Sequence, residues 1–205
     1  MSRIRPKNEA KRKQILDAAT TLFTENGYVE TSMDNIAKLA NVSKQTVYSH
    51  FGKKEELFSA AIEQKCIAYD LSQMVFNEGD DLAEFLLELA TRFFNLISSK
   101  EAMAVHKICA YESDSYPELS ELFYRAGPEP LVKEVTELFA HLGHIGVLSI
   151  PQPRMAAVQF LSIMRGEAWL RLEFNLKEQL TSSEIQDYLK HSVAFFIKGY
   201  QSASD

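Results

Sequence analysis

Apolar residues recur at intervals of three and four along most of the chain, the spacing that gathers them on one face of an α-helix. Ile15, Ala18, Ala19 and Leu22 mark a first helix, which Asn26-Gly27 stops with glycine in the usual terminating position. Met33, Ile36, Ala37 and Ala40 make a short second stripe, and Val42, Val47 and Phe51 a short third. A longer pattern from Lys53 to Phe76 turns Leu57, Ala60, Ala61 and Cys66 inward. Gly79-Asp80-Asp81 breaks the chain and offers an N-cap to Leu82 through Ile97, where Phe85, Leu86, Leu89, Phe93 and Leu96 share a face. Ala102 to Tyr111 follows and ends in the polar turn Ser113 to Pro117. The next helix is broken at Gly127-Pro128-Glu129-Pro130, resumes from Leu131 to Leu142, and gives way to a Gly/Pro-rich loop from Gly143 to Pro153. Met155 to Phe174 is apolar on more than one face, so it wants neighbours on both sides. The final helix opens on the capping box Thr181-Ser182-Ser183-Glu184 and carries Ile185, Tyr188, Leu189, Val193, Phe196, Ile197 and Tyr200. There is no strand-like alternation of useful length and no internal repeat, so the fold class is all-α, with about nine helices.

The two short stripes carry the chemistry. Between them Ala37 is small enough for two helices to cross closely, and Asn41 stands where the chain must turn sharply, often through a left-handed residue. Ser43 can cap the following helix, which leaves Lys44, Gln45, Thr46, Ser49 and His50 outside the buried stripe. That is the layout of a helix-turn-helix whose second helix enters the major groove of DNA.

Gly27-Tyr28, Thr31, Ile36-Ala37, Ala40, Val42-Ser43, Thr46, Tyr48, His50-Phe51, Lys54-Glu55 and Leu57 follow the N-terminal signature of the tetracycline-repressor (TetR) family, which the first sixty or so residues resemble closely. Two positions depart from it: Asn41 replaces a common glycine, and Gln45 puts a side chain able to read a base where glycine is frequent. The resemblance implies a three-helix DNA-binding module over residues 1–58 and a larger helical ligand-binding and dimerisation domain over 59–205. It also implies a homodimer joined through the helices at about 153–174 and 182–200, although both helices could instead complete a monomer core.

Charge supports this division. The net charge of −6 argues against a nucleic-acid binder until it is placed along the chain. Residues 1–58 hold ten Lys and Arg against seven Asp and Glu, or +3, whereas residues 59–205 hold twelve against twenty-one, or −9. Arg3 to Lys13 read either as a frayed terminus or as phosphate contacts, and the motif that follows favours the second. No apolar run reaches the roughly 18 residues a membrane helix needs, which leads to an expectation of a cytoplasmic protein. Cys66 and Cys109 are read as buried free thiols, not as a disulfide framework.

In the major groove Lys44 can reach guanine, Gln45 suits adenine and Thr46 offers its methyl to thymine. Tyr48 and His50 are spaced for phosphate oxygens, with packing as the other reading of Tyr48, and Lys54 with Ser32 or Thr31 would anchor the flanks. For a small hydrophobic or aromatic effector the candidates are Phe93, Met103, Tyr111, Phe123, Met164 and Trp169, with Tyr124 and Phe160 as further aromatics and His106 and Arg165 as polar contacts. Glu137, His141 and His144 share a helical face, but without a fourth ligand they read as a solvated edge, and no cofactor or resident metal is expected. No phosphate loop, nucleophile elbow or catalytic zinc spacing is present, so an enzyme is not expected. The leading expectation is a ligand-responsive homodimeric repressor of a near-palindromic operator. A partner-controlled or architectural DNA-binding protein is the alternative, and a helical small-molecule protein with a vestigial basic module is a third possibility.

Overall fold

The computed structural model describes residues 6–69, 71, 74–111 and 113–201, with side chains from Asn8 onward. Arg3, Arg5 and the side chain of Lys7, expected to meet phosphate, lie outside the described residues. The order is α1 (Pro6–Glu30), α2 (Met33–Leu39), α3 (Lys44–Phe51), α4 (Lys54–Ala68), α5 (Leu82–Ser98), α6 (Lys100–Tyr111), α7 (Pro117–Ala126), α8 (Pro128–His144), α9 (Pro153–Glu173) and α10 (Ser182–Gly199). Ten helices thus appear among the described residues, because the break at Gly127-Pro128 separates α7 from α8 completely. Proline opens α7, α8 and α9 at a position where its missing N–H costs nothing.

The helices gather into two units that do not follow chain order: Met1–Lys65 with Lys100–Gly127, and Cys66–Ser99 with Pro128–Asp205. In the first, α1 packs against α2 and α6, and α7 rests on α6. Ile15, Ala19, Phe23, Ile36, Val47 and Leu57 are all but fully buried there. A Cβ at Gly27 would touch Ile108 of α6 at 3.9 Å, and Ser120 Oγ donates to the Cys109 carbonyl at 2.6 Å. Burial pushes the Cys109 thiol up to about 12, which makes it inert, and Cys109 and Cys66 are not joined in a disulfide.

In the second unit α9 has α5, α8 and α10 around it, as its apolar circumference demands. Phe139, Phe160 and Phe196 form a ring cluster with centroids 5.0–5.4 Å apart. The N-caps expected at Asp81 and Thr181 are both formed, the latter as a full capping box with Glu184.

One expected element is shorter than its pattern. The helix expected from Lys53 to Phe76 ends at Ala68, and 74–77 are not helical. Leu71 and Phe76 are each 7% exposed, and Phe76 packs edge-on against Phe85 of α5 at 5.2 Å. Tertiary burial of these two side chains outweighs continuation of the helix.

A second feature is absent from the apolar pattern. Gly166 interrupts α9 with φ 57° and ψ −168°, a backbone region reserved for glycine. The Tyr188 ring of α10 fills the kink, and its hydroxyl donates to the Ile163 carbonyl at 2.7 Å. A Cβ on residue 166 would lie 2.5 Å from that ring. Gly166→Ala is therefore expected to destabilise the protein by about 1–3 kcal/mol, read as a lower denaturation midpoint; an unchanged midpoint would show that the kink is not required.

Candidate nucleic-acid interface

The end of α1 sets the geometry of the reading helix. Gly27 leaves the helix at φ 79°, so the carbonyls around it lose their regular partners. Thr31, 1% exposed, donates its hydroxyl to the carbonyls of Leu22 at 3.0 Å and Gly27 at 2.7 Å. The Lys54 ammonium, at the first residue of α4, donates to Tyr28 O at 2.8 Å, Thr31 O at 3.0 Å and Val29 O at 3.4 Å. It also lies 4.2 Å from the centre of the Tyr28 ring. Burial pushes the Lys54 amine below its ordinary range, against the opposing effect of Glu55 and Glu30. Beneath it Tyr28 stacks on Phe23 and meets Phe58 edge-on at 5.1 Å. Burial, and after it the charge of Glu55, raises the Tyr28 phenol, which stays protonated.

Two of the expected phosphate anchors, Thr31 and Lys54, have hydrogen-bond partners inside the module, where they satisfy carbonyls left bare at the helix end. Ser32, exposed, caps α2 by accepting from Asn35 N at 3.1 Å.

The helix-turn-helix then closes locally. Asn41 takes the left-handed conformation at φ 50°, and Val42 N donates across the turn to Ala37 O at 3.0 Å. Ser43 Oγ caps α3 from Thr46 N at 3.1 Å and pairs with the Thr46 hydroxyl at 2.8 Å. Val47 and Phe51 are buried, so α3 has one fixed face and one free edge. Lys44, Gln45, Tyr48 and Ser49 are exposed on that edge, and Thr46 and His50 are half-buried beside them.

Two of the edge residues, Lys44 and His50, have neighbours the sequence did not reveal. Lys44 is ion-paired to Asp34 of α2 at 2.7 Å, which raises its amine, but both side chains remain more than half exposed. Such a pair is weak and readily exchanged for a base or phosphate. Arg12 of α1 stacks on the Phe51 ring at 4.5 Å and so stands beside α3. Partial burial, with the charges of Arg12 and Lys11, pushes the His50 imidazole below its usual range. Arg12 was visible in sequence only as one cation of a basic run; its stacking on α3 depends on tertiary contact.

The effector candidates are divided between the units. Met103, His106, Tyr111 and Phe123 belong to the first; Met103 is buried, Tyr111 is 65% exposed, and the His106 and Phe123 rings are 6.2 Å apart. Phe93, Met164, Arg165 and Trp169 belong to the second, where Phe93 and Met164 are core and Arg165 lies 4.9 Å over Trp169. A cavity of about 310 Å³ in the second unit is walled by other residues, among them Leu71, Phe76, Leu89, Val135 and Leu138, with Glu134, Glu137 and His141 also lining it. Among the described residues no group of three or more His, Cys, Asp and Glu is placed to hold a metal ion. No helix among them is long and apolar enough to cross a membrane.

A capped helix pair whose second member offers Lys, Gln and Thr from an otherwise anchored rod, in an all-helical chain, defines a helix-turn-helix DNA-binding protein. Residues 15–61 match the family described as bacterial regulatory proteins, tetR family, and residues 84–202 match the C-terminal domain of AefR-like transcriptional repressors. The chain belongs to the tetR family. It is a DNA-binding transcriptional regulator and not an enzyme. It is 27% identical over 196 residues to the uncharacterised HTH-type transcriptional regulator YvkB of Bacillus subtilis (strain 168), an alignment covering 96% of this chain and 98% of that one. The flavonoid-responsive regulator FrrA matches with 33% identity, TM-score 0.74 and coverage of 96% and 100% of the two chains. A tetR-family regulator from Mesorhizobium loti MAFF303099 matches with 25% identity, TM-score 0.79 and coverage of 96% and 99%.

Lys54→Met keeps the aliphatic stem and removes the ammonium, leaving carbonyls at the end of α1 without their donor. We expect a loss of about 1–3 kcal/mol in stability, measured by denaturation, accompanied by weaker DNA binding. Full stability with weaker DNA binding would instead mark Lys54 as a phosphate anchor.

Proposed function

We propose that the protein is a homodimeric repressor that binds a near-palindromic operator, with half-sites about one helical turn, roughly 34 Å, apart, and that a small hydrophobic or aromatic effector releases it. The observation that carries this reading is the free edge of α3, where Lys44, Gln45 and Thr46 are presented from a helix anchored by Val47 and Phe51. Lys44 addresses guanine, Gln45 adenine and Thr46 a thymine methyl. Tyr48, His50 and Ser32 contact phosphates and set the register. Residues 1–58, with their positive balance, are the DNA-binding portion, and residues 59–205 bind the effector and dimerise. Acting on DNA, the protein is cytoplasmic on this reading.

The dimer reading is supported by what α9 and α10 leave outside. Met155, Val158 and Leu170 of α9, Phe174 just after it, and Phe195 of α10 are exposed, Phe174 and Phe195 by 67% and 68%. Large apolar side chains on adjacent helices favour a partner surface over water. The names of the matched repressor family and of the flavonoid-responsive relative support repression and a small-molecule signal.

The direct test is footprinting of the gene's own upstream region with purified protein: protection of an inverted repeat by a dimer is expected, and indifferent binding to any duplex would refute the reading. Gln45→Ala is expected to lower discrimination at one operator base pair by about 1–3 kcal/mol, with nonspecific affinity unchanged; equal loss on all sequences would contradict its role. Phe195→Glu should yield a folded monomer in sedimentation and weaken operator binding by about a hundredfold or more. A dimer of undiminished affinity would place the interface elsewhere.

A further inference from the structure

We infer that Asp34 is a specificity-determining residue of the DNA interface: by pairing with Lys44 it withholds that lysine from phosphates and leaves it to guanine. This rests on the base-reading role of Lys44 proposed above. The pair joins the two helices of the motif, Asp34 lying in the first turn of α2 and Lys44 opening α3. Lys44 Nζ stands 2.7 Å from Asp34 Oδ1 and 5.9 Å from the centre of the Tyr48 ring, one turn further along α3. One side chain from each helix thus steadies the ammonium at the outer edge of the motif, where Asp34, Lys44 and Tyr48 are all exposed.

An acid at this place works against binding a polyanion. The first helix of a helix-turn-helix crosses the DNA backbone, and the second enters the groove with its N-terminal residues at the base edges. Asp34 and Lys44 therefore both come to the DNA surface. Capping does not explain the acid, because Ser32 already caps α2 by accepting from Asn35 N at 3.1 Å. What Asp34 adds is its reach across to α3.

Charge separates the two kinds of acceptor that Lys44 can meet. A lysine adds to nonspecific affinity by neutralising a phosphate and releasing its counterion. Lys44 can do so only by giving up Asp34, which leaves a bare carboxylate beside the phosphates, so exchanging one anion for the other gains little. Guanine asks for less. Its O6 and N7 are neutral acceptors, and an ammonium has N–H donors to spare, so Lys44 can donate to the base while still paired. Asp34 also narrows the positions that the long, flexible lysine stem gives its head. Because the pair is exposed it is weak, and it biases the lysine without locking it.

The test is selection by the purified full-length protein from a pool of random-sequence duplexes, sequenced to give a base preference at each position, with affinity for the unselected pool measured against salt. Lys44→Met is expected to abolish a guanine preference at one position of the half-site, which marks the pair that Lys44 reads. Asp34→Asn is expected to lower the preference at that same position by about threefold or more and to spare the others. It should also bind the unselected pool more tightly, with a salt slope steeper by about one. Asp34→Glu, which keeps the carboxylate, should retain the original preference, and Asp34→Asn added to Lys44→Met should change the preference nowhere. A uniform gain on all sequences would reduce Asp34 to a repelling charge and overturn the inference. A uniform loss with a lower denaturation midpoint would make it a structural residue of α2 and overturn it equally. If Lys44→Met flattens no position, the reading of Lys44 fails and the role of Asp34 with it. If it flattens one that Asp34→Asn leaves intact, Lys44 reads its base unaided and only the role of Asp34 falls.

Discussion

The DNA-binding module depends on donors supplied to the bare carbonyls at the end of α1. Gly27 turns the chain out of the helix, and the oxygens of Leu22, Gly27, Tyr28, Val29 and Thr31 are taken up by only two side chains, Thr31 and Lys54. Thr31 stands two residues before α2, and Lys54 is the first residue of α4. The same few hydrogen bonds therefore fix the end of one helix and the beginnings of two others. Helix α3 lies in sequence between those beginnings, and its buried Val47 and Phe51 complete the attachment. A charged donor among carbonyls at reduced water access contributes about 1.5–3 kcal/mol per bond, so α3 is held by a few strong contacts and not by its own length of eight residues. An isolated helix so short would not persist in water.

Local chemistry was legible in sequence because it is encoded within four residues. The caps at Ser43 and Asp81 and the box from Thr181 to Glu184 each involve a side chain and a backbone group one turn away, and the left-handed Asn41 involves only its own backbone. The all-helical class was legible for a similar reason, since periodicity reports which face is buried without saying against what. Lys54 shows the limit of that reading. A lysine after a recognition helix looks like a phosphate anchor, and only the folded position of Tyr28 O, twenty-six residues earlier, shows where its charge goes. The end of α4 at Ala68 and the kink at Gly166 were hidden likewise, because Phe85 and Tyr188, the side chains that meet the chain there, lie distant in sequence.

The effector candidates were the least legible, for a physical reason. Aromatic and Met side chains serve equally well as core and as pocket lining, and composition cannot separate the two. Phe93 and Met164 are core, whereas the cavity is walled by other residues, Met74 and Phe76 among them beside Leu and Val. The same limit applies to α6 and α7, which chain order assigns to the C-terminal part but which join the compact unit of the DNA-binding module through the packing of α6 on α1 and of α7 on α6.

Helix α4 gives the cavity a covalent route to the reading helix. Its fifteen residues span about 22 Å at 1.5 Å per residue. One end carries Lys54, and the other stops at Ala68, three residues before Leu71 in the cavity wall. A ligand shifts a conformational equilibrium only by binding one state more tightly than another. On the proposed reading an effector acts through that difference, and any displacement of the start of α4 is felt at the carbonyls of Tyr28, Val29 and Thr31, because the Lys54 ammonium holds all three.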